Sequence, residues 1–412
     1  MPILQGSGSI DRFKGIVNLV HSKDGGLSLG YSIAGILFAL PVGSDRVVST
    51  LAQIASEHLG FEVKRRQAKQ FLESFVDDAR LVHVDTATIL PRVGGGHHEI
   101  EILLNRNRGK VARLNPGEVE IVEESRCIFY DSEGVGSLPR PKLKGTLKAG
   151  LKKLKRLTSL RGTDFNLVVL WLLAACRPVG PYPILILIGG PGSGKTTLTR
   201  CLKRLLDPTN TPVRSLPSNE KDLNTAARNN WLLAYDNVAL LSDRMSDALC
   251  RLSSGVGLAT RRGRDGIDEA VFGACRPIVL NGIDEFATRN DLIQRSIVIH
   301  MPEISTTERM TECEWNELFK ASRGPILGTF LKASAHGLMM VDEQQLDEKP
   351  RMADFLEWAV ATGDAFGWSS DKIINAFNQN QRASLSVIAD SDPLLEAIQR
   401  SRPSRWCKFR WP

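Results

Sequence analysis

The segment Pro183–Pro208 constrains the fold of this 412-residue chain more than any other part of its sequence. It begins with the apolar run ILILI, passes through GGPGSGKT, and ends in a regularly spaced apolar pattern that stops before Pro208. The first run predicts a buried strand and the later spacing predicts a helix. A strand, a glycine-rich turn and a helix in this order surround an anion with backbone N–H groups and a helix N-terminus. The segment therefore predicts a phosphate site in an α/β domain.

Within this segment, the pattern G-x-x-x-x-G-K-T indicates a nucleotide. Lys195 would contact the β- and γ-phosphates, and the Thr196 hydroxyl would hold Mg²⁺. The predicted cofactors are therefore ATP and Mg²⁺. The predicted nucleotide-binding residues form the loop and the first helical turn: Gly189, Gly190, Pro191, Gly192, Ser193, Gly194, Lys195, Thr196 and Thr197.

A second apolar run, WLLAYDNV, ends in Asp236. We interpret it as the strand that delivers a carboxylate to the Mg²⁺ shell, and the alternative is a plain core strand that ends in an Asp-Asn turn. Asn237 stands where many ATPases carry a second acid. An amide orients water but cannot take its proton, so the sequence leaves the rate of hydrolysis open.

Two further candidate catalytic residues follow in the chain. The run RPIVLNG predicts a strand that ends in Asn281, beside the strand of Asp236, where an amide suits the γ-phosphate or the attacking water. Arg295 follows the short helical pattern ATRNDLIQRS and is a candidate arginine finger, which would act across a subunit boundary. Arg289 is its competitor, and an ordinary solvated helix arginine is the alternative for either.

The order of these motifs resembles the AAA+ branch of P-loop ATPases. The stretch LCRLSSGVGLATRRGRDGIDEAVFGACRPIVLNG resembles superfamily 3 helicases, as in the ATPase part of phage and plasmid primase–helicase proteins. The resemblance is specific over about residues 181–303. It implies an AAA+ helicase-like α/β core, in which a parallel sheet has flanking helices, and a homo-oligomer such as a hexameric ring. Asn237 departs from the acid pair of that family.

In those relatives a basic β-hairpin enters the central channel of the ring and grips single-stranded DNA. The resemblance thus implies single-stranded or forked DNA as partner, with Arg261, Arg262 and Arg264 at the hairpin tip contacting phosphates. The alternative is an exposed loop kept soluble by charge, in which Asp265, Asp268 and Glu269 balance the arginines.

The rest of the chain divides into three predicted regions. Residues 1–140 predict an α+β region of unknown role, with helices near 44–60 and 65–81 and an antiparallel meander over 98–131. Residues 141–303 hold the ATPase core behind a leading basic helix, and 304–412 predict a helical region. That helix has leucines at helical spacing on one face, and its basic face is either solvated or turned towards nucleic acid.

Several classes of protein are disfavoured. Phe165–Gly190 is the most apolar region, but RPVGPYP divides it into pieces shorter than the ~20 residues that a membrane span needs. The seven cysteines lie far apart without metal spacing, and Gly94–His98 predicts a solvated turn rather than a metal site. The first residues do not predict a signal peptide, because Asp11, Arg12 and Lys14 interrupt the first apolar run. These observations favour the bacterial cytosol and no membrane partner.

The sequence thus favours an ATP-dependent, helicase-like or DNA-translocating protein of a phage or mobile element. Asn237 favours the alternative, a nucleotide-gated DNA-binding or loading factor with slow or no hydrolysis. A small-molecule kinase is a weaker reading, because the segment after the phosphate-loop helix offers only Arg214 and Arg228 for a lid.

Overall fold

The computed structural model describes residues 17–390, apart from 23–25, 80–85, 133, 257, 263–267, 284–285, 288, 345 and 347–348. Within these residues the chain is mixed α/β and forms four sheets. In the same part of the chain, no helix is both long enough and apolar enough to cross a membrane.

The first sheet holds six strands in the order β4-β1-β2-β3-β10-β5. The strands are β1 Val17–Ser22, β2 Leu27–Ile33, β3 Ile36–Pro41, β4 Thr86–Ala87, β5 Ile89–Leu90 and β10 Ile128–Tyr130. Helices α1 Val47–Leu59 and α2 Arg65–Ala79 form where the apolar spacing predicts them. Their apolar faces, which include Leu51 and Leu72, share one core with Leu29 and Phe38 of the sheet.

The predicted meander is confirmed for three strands, β7 Ile100–Asn105, β8 Lys110–Asn115 and β9 Glu118–Val122, which pair antiparallel. Two details differ. The fourth strand of this sheet is β6 Val93–Gly95, so Gly94 and Gly95 of the expected turn are in a strand, whereas residues 96–98 form the predicted turn. The run RCIFY forms β10, which pairs parallel with β3 and β5 of the first sheet. Period-two alternation predicts a strand but not its partner; burial of Phe129 in the first core decides the pairing.

The third sheet is fully parallel, in the order β12-β15-β11-β16. Its strands are β11 Ile184–Ile188, β12 Leu233–Tyr235, β15 Ile278–Gly282 and β16 Ser296–His300. The helices between them are α5 Lys195–Leu206, α6 Glu220–Asn229, α7 Asp243–Ser254 and α8 Asn290–Ile293. The strands are near-continuous apolar runs because helices cover both faces of such a sheet. Since all strands are parallel, the residues that follow β11, β12 and β15 meet at one edge.

The basic stretch forms a two-stranded hairpin, in which β13 Leu258–Arg262 pairs antiparallel with β14 Asp268–Phe272. The flanking strands were predicted, but β13 extends further than expected. Arg261 and Arg262 are its last residues, in register with Glu269 and Asp268, instead of lying in the tip. Arg264 lies outside the described residues.

The remaining helices are α3 Leu147–Arg156, α4 Gly162–Ala175, α9 Glu312–Met340, α10 Ala353–Asp364 and α11 Ser370–Asp390. The basic helix α3 is shorter than its leucine pattern, because Leu157 and Leu160 lie beyond its end, although both are buried. A Thr311 capping box starts α9. One apolar cluster runs from Val93 to Phe377, so the meander and the helices around α9 share a core. The predicted helix SDPLLEAIQRS lies outside the described residues.

Candidate functional site

The glycine-rich loop lies between β11 and α5, as the strand–loop–helix pattern predicts. Gly194 precedes the helix with a φ of 82°, a left-handed conformation that glycine adopts without steric cost. Lys195 Nζ donates to the carbonyl oxygens of Gly189 at 2.5 Å and Gly190 at 2.7 Å. Burial lowers the pKa of this ammonium, and the Asp236 carboxylate opposes that shift. The loop therefore holds a partly desolvated cation against its own backbone.

The first turn of α5 meets the end of β12. The hydroxyl of Thr196 donates to Asp236 Oδ1 at 3.0 Å, so the two predicted metal ligands are neighbours in the fold. Hydroxyl and carboxylate oxygens are hard ligands of the kind that Mg²⁺ prefers, and Mg²⁺ usually takes only one or two protein carboxylates beside substrate phosphates. This donor set fits the predicted metal. Among the described residues, no cluster of three or more His, Cys, Asp or Glu side chains is placed to hold a metal ion.

Asn281 lies at the same edge, but its side chain is bonded within the protein. Its Oδ1 accepts the backbone N–H of Asn237 at 3.1 Å, and its Nδ2 donates to Thr199 Oγ1 at 2.8 Å. Thr199 in turn donates to the carbonyl oxygen of Lys195 at 2.9 Å. Only 1% of Asn281 is exposed. These hydrogen bonds connect β15, the turn after β12 and helix α5, and they favour a positioning role for Asn281.

Asn237 has a φ of 55°, in the left-handed region. Asparagine and aspartate visit this region more readily than other residues that carry a side chain. Its side chain is exposed and lines the cavity above the loop. The left-handed backbone at position 237 therefore favours asparagine, independently of any role in catalysis.

A cavity of about 990 Å³ opens above these residues. Its floor is the loop with Thr196, Thr197, Asp236, Asn237 and Asn281. Two walls come from segments that the motifs did not connect with the site: residues 155–161, which form the end of α3 and its connection to α4, and residues 301–318. Thr158 Oγ1 and Ser159 Oγ are buried there, without a hydrogen-bond partner. Trp315 closes the far wall, and its Nε1 donates to the carbonyl oxygen of Leu157 at 3.2 Å.

Two arginines at the cavity were also missed by the motif reasoning. The Arg309 guanidinium lies against the loop: a Cβ placed on Gly192 would be 3.4 Å from its Nη2. Arg200 of α5 pairs with Glu312 of α9 at 2.8 Å. No motif marks Arg309, because the long connection after β16 brings residues 301–318 to the cavity only in the folded chain.

Arg295 does not line this cavity. It pairs with Asp291 at 2.8 Å and borders a separate hollow of about 200 Å³, together with Asp247, Cys250 and Arg251. Its competitor Arg289 pairs with Asp247, also at 2.8 Å. Both arginines are therefore paired, and neither lines the cavity above the glycine-rich loop of their own chain.

Comparison with known proteins gives one family. A search of curated protein sequences finds no match. Among solved structures, the chain is similar to an A-form apo structure of the NrS-1 C-terminal region, with 14% identity, a TM-score of 0.44, and coverage of 78% of this chain and 67% of that chain. A second structure of that region has 14% identity, a TM-score of 0.42, and coverage of 79% and 70%. These scores are low, and they support no argument about this chain. Residues 151–390, more than half of the chain, match the family of actinomycete integrative conjugative element replication proteins, and the chain therefore belongs to this family of mobile-element replication proteins.

Proposed function

We propose that this replication protein binds ATP with Mg²⁺ in the cavity above the glycine-rich loop and hydrolyses it in association with DNA. The observation that carries the proposal is the contact between Thr196 and Asp236, at 3.0 Å, directly beside the buried ammonium of Lys195. A cation, a hydroxyl and a carboxylate converge there at the carboxyl edge of a parallel sheet, where ligands of such sheets bind.

Each residue has a defined task in this proposal. The loop N–H groups and the Lys195 ammonium bind the β- and γ-phosphate oxygens, and Arg309 adds a second cation beside Gly192. Thr196 and Asp236 hold Mg²⁺, which supplies charge neutralisation at the phosphates. Asn281 keeps the turn of Asn237 in place through the hydrogen bonds described above.

The walls of the cavity suit the rest of the nucleotide. Its volume lies at the upper end of the range of small-molecule sites, about 300–1,000 Å³. Trp315 and Leu157 offer apolar surface, and the unpaired hydroxyls of Thr158 and Ser159 can each donate and accept a hydrogen bond. We therefore place the nucleobase against the connection between α3 and α4.

The rate of hydrolysis separates two forms of the proposal. A helicase-like or translocating protein needs rapid turnover, whereas a nucleotide-gated loading factor does not. Asn237 favours the slower form, since its amide can orient a water but cannot accept a proton. An ATPase assay and a strand-displacement assay on the same preparation distinguish the two.

The proposal is tested by Lys195→Ala with a fluorescent ATP analogue. Removing the ammonium leaves the phosphates without their buried counter-charge, so binding should fall at least tenfold while the thermal unfolding transition stays cooperative. The matched control is Lys221→Ala, an exposed lysine on α6. Binding as tight as that of the wild type would show that the phosphate site is misassigned.

A further inference from the structure

The region around α3 carries an unusual concentration of positive charge. Residues 140–161 include nine lysines and arginines and no aspartate or glutamate, so this segment alone exceeds the net charge of +7 of the whole chain. From Lys144 to the end of α3, the exposed cations are Lys144, Lys148, Lys152, Lys155 and Arg156. Two of these cations, Lys155 and Arg156, line the cavity of the proposed nucleotide site. It leaves Lys144, Lys148 and Lys152 without a role.

The packing of α3 fixes which face these lysines occupy. Gly150 lies so close to α9 that a Cβ placed on it would be 2.0 Å from Thr329 Oγ1. Leu154 is buried in the same interface. Lys148 and Lys152 are one turn apart, and they lie on the opposite side of the helix from Gly150 because side chains advance by 3.6 residues per turn. The helix is therefore anchored through its small and apolar residues and presents its cations outward.

Within the part of the chain that the structure describes, none of Lys144, Lys148 and Lys152 pairs with a carboxylate. The Glu312 carboxylate, at the start of α9, pairs with Arg200, and the Glu314 carboxylate accepts hydrogen bonds from the backbone N–H and hydroxyl of Thr311. Like charges one turn apart destabilise a helix, so this face is better suited to an external anion than to water alone.

We propose that the basic surface formed by Lys148 and Lys152 on α3, together with Lys144 just before the helix, binds the phosphate backbone of DNA. The ten residues of α3 span about 15 Å, and a DNA strand advances 3.4 Å per nucleotide, so the face spans about four phosphates. Contacts of this kind set position and affinity but do not read base sequence. The proposal goes beyond the nucleotide site and does not depend on it, because these three lysines lie outside the cavity.

The test is the triple variant Lys144→Gln, Lys148→Gln, Lys152→Gln, in fluorescence anisotropy titrations of a labelled mixed-sequence oligonucleotide across a salt series without nucleotide. Each phosphate contact on a single strand contributes about 0.7 to the slope of log affinity against log salt. The slope should therefore decrease by about 2, with the same change on a second oligonucleotide of different sequence. With duplex DNA, the decrease should be somewhat larger, since each contact contributes about 0.9.

Three controls make the result specific. Lys221→Gln, Lys349→Gln, Lys372→Gln removes the same charge from exposed lysines elsewhere and should leave the slope unchanged. Arginine at the three α3 positions keeps the charge and should keep the slope. The glutamine triple variant should also bind the fluorescent ATP analogue as the wild type does. If Lys195→Ala binds the ATP analogue as tightly as the wild type, the proposed nucleotide site is wrong, but the DNA-binding proposal is unaffected.

Several outcomes would overturn the proposal. One is a salt slope of the α3 variant that superimposes on that of the wild type. Another is an equal decrease in the control triple, which would reflect net charge alone. If Arg261→Ala, Arg262→Ala, Arg264→Ala flattens the slope and the α3 variant does not, the DNA surface is the hairpin. If the variant loses binding to vesicles of anionic lipid but not to DNA, these lysines bind a membrane surface instead.

Discussion

Arg92 Nε donates a hydrogen bond to Asp207 Oδ1 at 3.2 Å, and both side chains are only 1% exposed. Arg92 immediately precedes β6, whereas Asp207 follows the last residue of α5. The other carboxylate oxygen accepts from Lys203 Nζ at 2.6 Å and from the backbone N–H of Trp231 at 2.9 Å. One buried carboxylate thus joins the N-terminal region to the far end of the phosphate-loop helix.

Replacing this carboxylate should be strongly destabilising. Asp207→Asn leaves Arg92 and Lys203 buried without a counter-charge, which costs roughly 3–5 kcal/mol. Burial raises the pKa of Asp207, but Lys203 and Arg92 outweigh that effect and hold it below its usual range. The carboxylate therefore adds stability above its unfolded-state pKa, and that stability is lost as the pH falls through the lower folded-state value. Denaturant unfolding of the variant over an acidic pH series measures both effects.

The control is Asp371→Asn, which neutralises an exposed acid on α11. A loss of stability no larger than in this control would show that the buried ion pairs of Asp207 with Arg92 and Lys203 do not stabilise the fold.

Nucleotide affinity should depend on pH through Lys195. Burial lowers the pKa of its ammonium, so the neutral form appears at a lower pH than for an exposed lysine. Affinity for the fluorescent ATP analogue should therefore fall as the pH rises through that lowered pKa. Because folding lowers the pKa, the stability of the ligand-free protein should rise over the same range.

Lys195→Arg supplies the matched comparison, since a guanidinium stays charged throughout. Its affinity is expected to be lower at neutral pH but flat with pH. Parallel profiles for the wild type and the arginine variant would mean that Lys195 does not govern binding.

The turn at Asn237 predicts different results for two acidic substitutions. Asn237→Asp places a carboxylate on a residue that tolerates the left-handed backbone. If the attacking water lies beside it, general-base assistance should raise ATP turnover by about 10²–10⁴-fold. Asn237→Glu brings the same charge with a backbone penalty of about 1–2 kcal/mol, so it should gain less and unfold at a lower temperature. Steady-state ATPase rates and thermal unfolding check both variants, and an unchanged rate in Asn237→Asp would place the water elsewhere.

Arg295 can contribute to catalysis only across a subunit boundary, because it does not line the cavity of its own chain. Arg295→Ala should leave binding of the ATP analogue intact and lower turnover by about 10³–10⁵-fold, as expected for an arginine finger. Mixing this variant with Lys195→Ala should restore some activity, since one type of interface then has both an intact loop and an intact finger. Arg289→Ala is the control, and no recovery in a mixture shown to co-assemble would leave Arg295 a structural partner of Asp291.

Local patterns in the sequence predicted much of the fold around the loop. The apolar runs before Gly189, Asp236 and Asn281 became neighbouring parallel strands, because each run is buried on both faces and bounded by turn residues. The motifs likewise predicted that Thr196 and Asp236 act at one site, since both follow the carboxyl ends of strands in one sheet, and the two side chains are in contact.

Long-range packing determined what the sequence missed. The unpaired hydroxyls of Thr158 and Ser159, the indole of Trp315 and the Arg309 guanidinium reach the cavity only because α3 and α9 pack together. No local periodicity encodes that contact. The strand β10 was misassigned for the same reason: its sequence fits either sheet, and only the burial of Phe129 distinguishes them.

The position of β10 has a consequence for synthesis on the ribosome. This strand sits between β3 and β5, although the whole meander separates it from them in sequence. The chain leaves the ribosome with its N-terminal end first. Strand β5 therefore has no neighbour in the first sheet until residue 130 has left the exit tunnel. Until then β3 presents an unpaired edge, a place where nascent chains are prone to associate with one another. The first sheet is thus completed only after the meander that interrupts it has been made.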